Sequence, residues 1–297
     1  MFRQAPIAAA VVALSIIPAA ADPSTKRVIA FEQRVREAAR AMDMSPRLRD
    51  LSPDQRRRIV EFVAGNVLFA LLHEMGHAHI TEMGLVVLGR EEDAADSFAV
   101  LTMLKVGSSF SREVLVQASL GWFLSAYRDE KERVRLSFYD EHGLDRQRAY
   151  GIVCLMVGSD PDKFTDLAKM TKLPEERQRS CLGDYSTASW SWEQVMKPHR
   201  RTSDQPKNKI EVVYDKAEGE LVAFQQLFRS IELLETIADV ASEEYVWRRP
   251  FTLGMQSCGA PGAHWDLSQR KLVVCYELAA EFAMLYRQYT KWGVSPY

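Results

Sequence analysis

The chain has few of the residues that mark several common classes of protein. Only four of its 297 residues are cysteines and only six are histidines, and no two cysteines have the C-x-x-C spacing. A zinc knuckle or dithiol redox site of that type is therefore excluded. Charge of one sign is also lacking, because 38 Lys and Arg residues accompany 40 Asp and Glu residues. With no basic patch interleaved with aromatic residues, we predict no nucleic-acid partner.

The sequence also has no internal repeat, and no low-complexity segment beyond its first residues, which argues against a solenoid or repeat array. Arg3 gives the chain a positive start, residues 7–17 form a short apolar run, and residues 18–21 offer an A-x-A cleavage site. The run is too short to span a bilayer comfortably. We predict that residues 1–21 are a bacterial signal peptide. The mature protein should then be periplasmic or secreted, with no stable membrane span.

What the chain does contain is an H-E-x-x-H motif, at residues 73–77. Residues four apart on an α-helix share a face, so His73 and His77 can present two imidazole nitrogens to one metal ion. Glu74 lies about 100° around the helix from His73, where it can hold a metal-bound water without binding the metal. His79 points to the opposite side and is not a predicted ligand. The helix is predicted by an apolar stripe of Leu68, Leu71, Leu72 and Met75.

A second predicted helix, which begins at Glu91, offers carboxylates for a third ligand. Glu92 and Asp96 are four apart on this helix, and the small residues Ala95 and Ala99 share their face. Small side chains allow two helices to approach closely, as a ligand donated across a helix pair requires. The short connection between the motif and this helix suits two neighbouring helices joined by a turn. The acidic residues that compete with Glu92 for the third position are Glu91 and Asp93.

Together these two motifs resemble those of the gluzincin metallopeptidases, the thermolysin-like class, in which H-E-x-x-H is followed by E-x-x-x-D. More closely, the chain resembles a bacterial family of exported proteins known only as candidate metallopeptidases. The resemblance implies that Glu92 is the third protein ligand and that Asp96 orients His73 or His77 through its other ring nitrogen. The segments that carry the closer resemblance are Gly65-Asn66, the H-E-x-G-H motif, residues 89–96 and Cys275-Tyr276-Glu277.

Two histidines and one glutamate leave a fourth zinc position for water, which is typical of a hydrolytic site. We therefore expect one Zn²⁺ per chain, Glu74 as the general base, and a peptide or protein substrate. The alternatives are a non-catalytic zinc-binding protein and a peptide-binding envelope protein on the same scaffold. Thermolysin-like enzymes stabilise the oxyanion with His or Tyr, and the candidates here are Tyr276, Tyr150 and His142. His142 follows Asp140 before a predicted helix, and its segment is a capping turn or an active-site element.

The predicted fold class is α+β and predominantly α-helical, with a zincin-like pair of active-site helices and a small C-terminal β element. Residues 22–297 should form a single metallopeptidase-like domain, with a possible lobe boundary near residues 198–209. Residues 221–246 are predicted to be strongly helical, with a break inside them. The strand at residues 271–275 is a hypothetical pairing site for an extended peptide.

The four cysteines are predicted to form two disulfides, as suits an exported protein. Cys258 and Cys275 flank a predicted hairpin, which favours pairing between cysteines that are close in sequence. The predicted bridges are therefore Cys154–Cys181 and Cys258–Cys275.

Overall fold

The computed structural model describes residues 23–41, 50–293 and 295–297, so the predicted signal peptide, residues 1–21, lies outside it. The predicted fold class is confirmed: the fold is α+β and predominantly helical. The helices of the described residues are α1 (Pro23–Ala41), α2 (Pro53–Met83), α3 (Glu91–Val106), α4 (Ser109–Glu132), α5 (Asp145–Ser159), α6 (Thr165–Met170), α7 (Glu175–Met196), α8 (Val222–Ser230), α9 (Leu233–Glu244) and α10 (Tyr276–Trp292). The strands are β1 (Ile210–Tyr214), β2 (Phe251–Gln256), β3 (Ala263–Asp266) and β4 (Lys271–Cys275).

Helix α2 is the core of the fold and carries the H-E-x-x-H motif. Its start is fixed by a capping box, in which Ser52 accepts the N–H of Gln55 and the Gln55 side chain accepts the N–H of Ser52. Pro53 is the first helical residue, and the helix ends at Gly84, which has the left-handed conformation (φ 66°). Within the described residues, only α2 is long and apolar enough to cross a membrane. However, 89% of its apolar window is buried inside the protein, as expected of a core helix.

The four strands form one sheet in the order β1-β2-β4-β3. β1, β2 and β4 are parallel, whereas β3 pairs with β4 in the antiparallel direction at the edge of the sheet. The hypothesis that a peptide pairs with residues 271–275 is wrong, because β2 and β3 already occupy both edges of β4. β3 lies against α2, and the described residues place no further strand on its outer edge.

The break predicted within residues 221–246 lies at Ile231 and Glu232, between α8 and α9, where Glu232 has a φ of 52°. The predicted boundary segment, residues 198–209, is bonded to the end of α9 and to the residues after it. Arg201 N–H donates to the carbonyl of Glu244 at 2.9 Å, and the Asn208 side chain donates to the carbonyl of Trp247 at 2.6 Å. The lobe boundary stays a prediction.

The two disulfides have the predicted pairing. Cys154–Cys181 joins α5 to α7, which are its packing partners. Cys258–Cys275 joins the segment after β2 to the end of β4. Each bridge is expected to stabilise the fold by about 2 to 4 kcal/mol, mainly by restricting the unfolded chain.

Helices α2 and α3 are in close contact at Gly76. A Cβ atom at this position would lie 2.9 Å from the Cα and 3.2 Å from the Cβ of Ala95, both closer than ordinary van der Waals contact. The sequence had indicated that Ala95 allows a close approach; the structure adds that the glycine inside the motif is its partner. This contact places the ligands of both helices opposite each other.

Gly76→Ala should therefore destabilise the protein by about 1 to 3 kcal/mol, because the added methyl group forces α2 and α3 apart. The measurement is the free energy of unfolding in urea. Gly183→Ala on α7 is a matched control, since nothing lies within 4 Å of the added methyl group; it should stabilise the helix by up to about 1 kcal/mol. Equal effects of the two substitutions would contradict the tight helix contact.

Candidate metal centre

Two imidazole nitrogens and one carboxylate oxygen converge between α2 and α3. The Nε2 atoms of His73 and His77 are 3.2 Å apart. Glu92 Oε2 lies 3.0 Å from the first and 3.4 Å from the second. The His73 side chain is buried, and those of His77 and Glu92 are partly buried. The structure thus brings together the three side chains that the sequence nominated as metal ligands.

These residues fit a divalent metal ion. A tetrahedral ion with bonds of about 2.1 Å separates its ligand atoms by about 3.4 Å, and the three distances are close to that value. Although Glu92 Oε2 is buried among imidazoles, it makes no hydrogen bond of acceptable geometry with a described residue. The three ligand atoms are therefore close enough together to bind one ion. Two imidazoles and one carboxylate form a donor set that zinc commonly takes.

Each histidine is oriented by a carboxylate on its other ring nitrogen. His73 Nδ1–H donates to Asp96 Oδ1 at 2.8 Å, and His77 Nδ1–H donates to Glu91 Oε1 at 2.7 Å. These bonds fix the tautomer that leaves both Nε2 atoms free to bind a metal. Glu91, a competitor for the third ligand position, is placed here as the partner of His77. The other competitor, Asp93, is paired with Arg90 at 3.0 Å.

Arg148 is a further member of the centre that the sequence did not reveal. Its guanidinium donates to both oxygens of Asp96, at 2.8 and 2.7 Å, and stacks 3.8 Å from the ring centroid of Trp122. Burial alone would raise the pKa of Asp96, but the bonds from Arg148 and His73 lower it to about 2. The Asp96 carboxylate is thus held ionised, in the orientation that receives the His73 N–H.

Asp96→Asn should weaken metal binding about 10- to 100-fold, because a neutral amide replaces the carboxylate that orients His73 and raises its basicity. The affinity is measured by competition with a chromophoric chelator. Asp93→Asn is the matched control, as it makes the same change three residues earlier on the same helix, where Asp93 is exposed. The control should bind metal as the wild type does; an equal loss in both variants would contradict the role of Asp96.

Glu74 is buried on the face of α2 that β3 covers. The backbone N–H of Trp265, in β3, donates to its carboxylate. Burial raises the pKa of Glu74, and the nearby His73 and His77 partly oppose this rise. The sheet therefore holds Glu74 beside the metal ligands in an environment that favours its uptake of a proton.

His142 reaches the centre from the connection between α4 and α5. Its Nε2 lies 2.9 Å from Glu92 Oε2, and its ring stacks on that of His73 with 6.1 Å between centroids. Asp140 Oδ1 accepts the backbone N–H of His142 at 2.9 Å and lies 3.2 Å from His142 Nδ1. The segment was interpreted as either a capping turn or an active-site element. The two interpretations are compatible, because a polar turn at Asp140 places His142 beside the metal ligands.

The other two candidates for stabilising an oxyanion do not reach the centre. Tyr276 is fully buried, and its hydroxyl donates to the carbonyl of Asp215 at 3.0 Å. The Tyr150 hydroxyl donates to the carbonyl of Thr171 at 3.0 Å. Both expectations are corrected for the same reason: each ring packs in the core, and its hydroxyl satisfies a distant backbone carbonyl.

The electrostatics of the metal-free centre predict a pH dependence of stability. Burial alone would lower the pKa of His77, but the carboxylates of Glu92 and Glu91 raise it from 6.5 to about 9. A group with a higher pKa in the folded state stabilises the fold below its unfolded pKa, and this contribution is lost as the pH rises through the folded pKa. We expect the metal-free protein to lose about 1 to 3 kcal/mol of stability from pH 6.5 to 9.

The measurement is urea denaturation at both pH values in the presence of a chelator. Protein saturated with zinc should not show this loss, because the metal binds neutral imidazoles. Greater stability of the metal-free protein at the higher pH would show that the carboxylates do not hold a proton on His77.

Comparison with known proteins bears on the same part of the chain. Residues 23–196 match the model of a protein family described as "Putative metallopeptidase". The chain belongs to this family. The matched residues run from α1 to the end of α7 and include every member of the centre described above except Trp265, which lies in the sheet beyond the match. The family's description implies a metal ion and a peptide substrate. No curated protein and no solved structure matches the chain.

Proposed function

We propose that the protein is a zinc-dependent metallopeptidase in which His73, His77 and Glu92 hold one Zn²⁺. The observation that carries the proposal is the convergence of their three ligand atoms, 3.0 to 3.4 Å apart, with Glu74 beside them. Three protein ligands leave a tetrahedral ion one position for water, whereas a structural zinc site has four protein ligands.

The residues of the centre divide the chemistry among them. When bound, zinc would supply Lewis acidity towards a water molecule and the scissile carbonyl. Glu74 would accept the proton of the attacking water and deliver it to the leaving amine. Its raised pKa suits a group that must both take and release a proton near neutral pH. The Trp265 N–H would keep the carboxylate in place during both transfers.

His142 would stabilise the negative charge that develops on the substrate oxygen. It is the one oxyanion candidate at the centre, and Asp140 holds its ring by the Nδ1 side. A glutamate neighbour raises the pKa of His142 above its ordinary value, since Glu92 favours the protonated ring. A protonated ring offers Nε2–H to an oxyanion.

An extended substrate would bind along β3. This strand is the antiparallel edge of the sheet, and the described residues place no further strand on its outer side. Its Trp265 contacts Glu74, so a peptide added to this edge would pass beside the general base. Main-chain pairing at a sheet edge accepts many sequences and leaves specificity to side-chain contacts.

The protein would work in the periplasm or outside the cell. Two disulfides within the described residues support this location, because such bridges persist in oxidising compartments. Alkylation of the protein recovered from cell fractions tests the location. Oxidised cysteines in an exported fraction are expected, whereas reduced cysteines in the cytosol would contradict it.

The test of the proposed function combines metal analysis of the purified protein with cleavage of a peptide library. We expect about one zinc per chain and cleavage that a chelator abolishes and added zinc restores. Zinc without any cleavage would favour the non-catalytic alternative. Peptide binding without zinc or cleavage would favour the peptide-binding alternative.

A further inference from the structure

A cavity of about 370 Å³ lies on the side of α2 that faces away from the metal centre. α2 contributes Leu68, Leu72, Met75 and His79 to its wall. The spacing of three and four residues places these side chains on one face of the helix. His77 is two residues, or about 200°, from both Met75 and His79, and therefore lies on the opposite face. The helix itself thus separates the cavity from the metal ligands.

The rest of the cavity wall is mainly apolar and comes from several helices. It includes Phe31 of α1, Phe98 and Met103 of α3, and Ile237 and Val240 of α9. Protein interiors contain few voids larger than a water molecule, whereas small-molecule sites have volumes of about 300 to 1,000 Å³ and mostly apolar walls. The size and the lining of this cavity therefore suit an apolar ligand.

The polar groups at the opening of the cavity are already paired. Ile29 and Lys105 are exposed members of the wall, so the cavity opens to solvent beside them. Lys105 Nζ donates to Glu244 Oε2 at 3.1 Å, and the Ser111 hydroxyl donates to the carbonyl of Ser108 at 3.0 Å. Among the described residues that line the cavity, Lys105 is the only lysine or arginine. The wall therefore offers no unpaired lysine or arginine to an anionic ligand.

One polar atom of the wall lacks a hydrogen-bond partner. His79 is 1% exposed, and its Nδ1 lies 2.6 Å from the carbonyl oxygen of Met75. A carbonyl can only accept, so Nδ1 carries the proton. A second proton on Nε2 would place a positive charge in a buried site, which is costly. Nε2 is therefore an unprotonated acceptor, and no described residue donates to it, although buried polar atoms are nearly always hydrogen-bonded.

The unpaired acceptor faces the cavity. Because Nδ1 bonds to the backbone of α2, the edge of the ring that carries Nε2 is turned away from this helix. The ring contacts Phe98 and Tyr245, with 4.7 and 4.9 Å between centroids, and both residues also line the cavity. A water molecule needs about two to four polar partners, and an acceptor flanked by aromatic rings offers one. The site therefore favours an apolar ligand that brings its own donor.

We propose that this cavity binds a neutral aliphatic alcohol, whose hydroxyl group donates to His79 Nε2 and whose hydrocarbon chain lies along the apolar wall. At roughly 30 Å³ for an atom the size of water, a volume of about 370 Å³ holds about twelve non-hydrogen atoms. A carboxylate would bring a charge into the cavity and no donor to Nε2. The site includes no member of the metal centre, so the proposal does not depend on the proposed hydrolysis.

The test compares two ligands of equal size by isothermal titration calorimetry of the full protein. 1-Decanol and 1-methoxynonane have the same number of non-hydrogen atoms, but only the alcohol can donate a hydrogen bond. Wild-type protein should bind the alcohol about 2- to 10-fold more tightly than the ether. His79→Phe keeps an aromatic ring and removes the acceptor, so this variant should bind the two ligands equally.

Nuclear magnetic resonance of ¹⁵N-labelled wild-type protein gives a second measurement, which does not require the His79 variant to fold. The spectrum should show a proton on Nδ1 and none on Nε2. Addition of 1-decanol should move the Nε2 resonance of His79 upfield, as expected when this atom accepts a hydrogen bond. Addition of 1-methoxynonane should leave that resonance in place.

A third variant tests the location of the site. Val240→Trp places a large ring in the cavity and should weaken the binding of both ligands at least about tenfold. Leu182→Trp is the matched control, because Leu182 is exposed on α7 and does not line the cavity; it should bind both ligands as the wild type does. Circular dichroism should show that both variants retain the helical fold.

The proposal is overturned if wild-type protein binds neither ligand or binds both equally. It is also overturned if His79→Phe keeps the preference for the alcohol, or if folded Val240→Trp protein binds as the wild type does. Tighter binding of decanoate than of 1-decanol would contradict it as well, since a charged group at the opening, such as Lys105, would then hold the ligand.

Discussion

Glu74→Gln should lower kcat for peptide hydrolysis about 10²- to 10⁴-fold, the contribution of a positioned general base. Glutamine keeps the shape of the side chain and can still accept the N–H of Trp265, but it cannot take a proton from water. Steady-state kinetics on a peptide from the library screen give kcat, and metal analysis of the same sample gives the zinc content. We expect the zinc content to match that of the wild type, because Glu74 does not bind the metal.

The control for this prediction is Glu82→Gln, which changes a second buried glutamate of α2. Glu82 is paired with Arg249, at 3.1 and 3.2 Å, at the end of the helix beyond the motif. The control variant can lose stability, yet its folded fraction should retain kcat. Wild-type kcat in the Glu74→Gln protein, at equal zinc content, would refute the mechanism proposed above.

Glu92→Gln should remove the metal almost entirely, with a loss of affinity greater than about 100-fold. Losing an outer partner already costs 10- to 100-fold, and here the anionic ligand itself becomes a neutral amide. Chelator competition measures the affinity, and hydrolysis should fall with occupancy. Zinc at high concentration should restore part of the activity, which distinguishes loss of metal from loss of chemistry.

A companion variant tests which carboxylate is the ligand. Glu91→Gln replaces the charged acceptor of the His77 Nδ1–H bond with a neutral amide oxygen and should weaken metal binding only about 10- to 100-fold. If the Glu91 variant lost zinc completely while Glu92→Gln retained it, Glu91 would be the metal ligand and Glu92 would not.

The parts of the centre that follow helical spacing could be predicted from the sequence. His73 and His77 are four apart on one helix, so local geometry alone brings them together. Glu92 and Asp96 have the same spacing on the next helix. A short connection makes two such helices neighbours, and small residues at the contact allow the carboxylate of one to reach the imidazoles of the other.

The parts that depend on the tertiary fold could not be predicted. Arg148 is 52 residues from Asp96. Nothing in the local sequence distinguishes this arginine from others on helix surfaces, so its pairing with Asp96 could not be predicted. The order of the strands was equally hidden, because residues 271–275 and the shorter β3 both read as strands and only their pairing shows which one is the edge. His142 was partly predictable. The sequence indicated a polar turn at Asp140, but it did not indicate that this turn places His142 at the metal centre.

The close contact of Gly76 with Ala95 has a consequence for how the protein is assembled. Backbone packing holds the two helices together, so the ligands are in position before any ion arrives, unlike those of a zinc finger, which folds only when loaded. The polypeptide can therefore mature as an apoprotein and acquire its ion as a late step. Metal binding would then add stability to a fold that already exists, rather than create that fold.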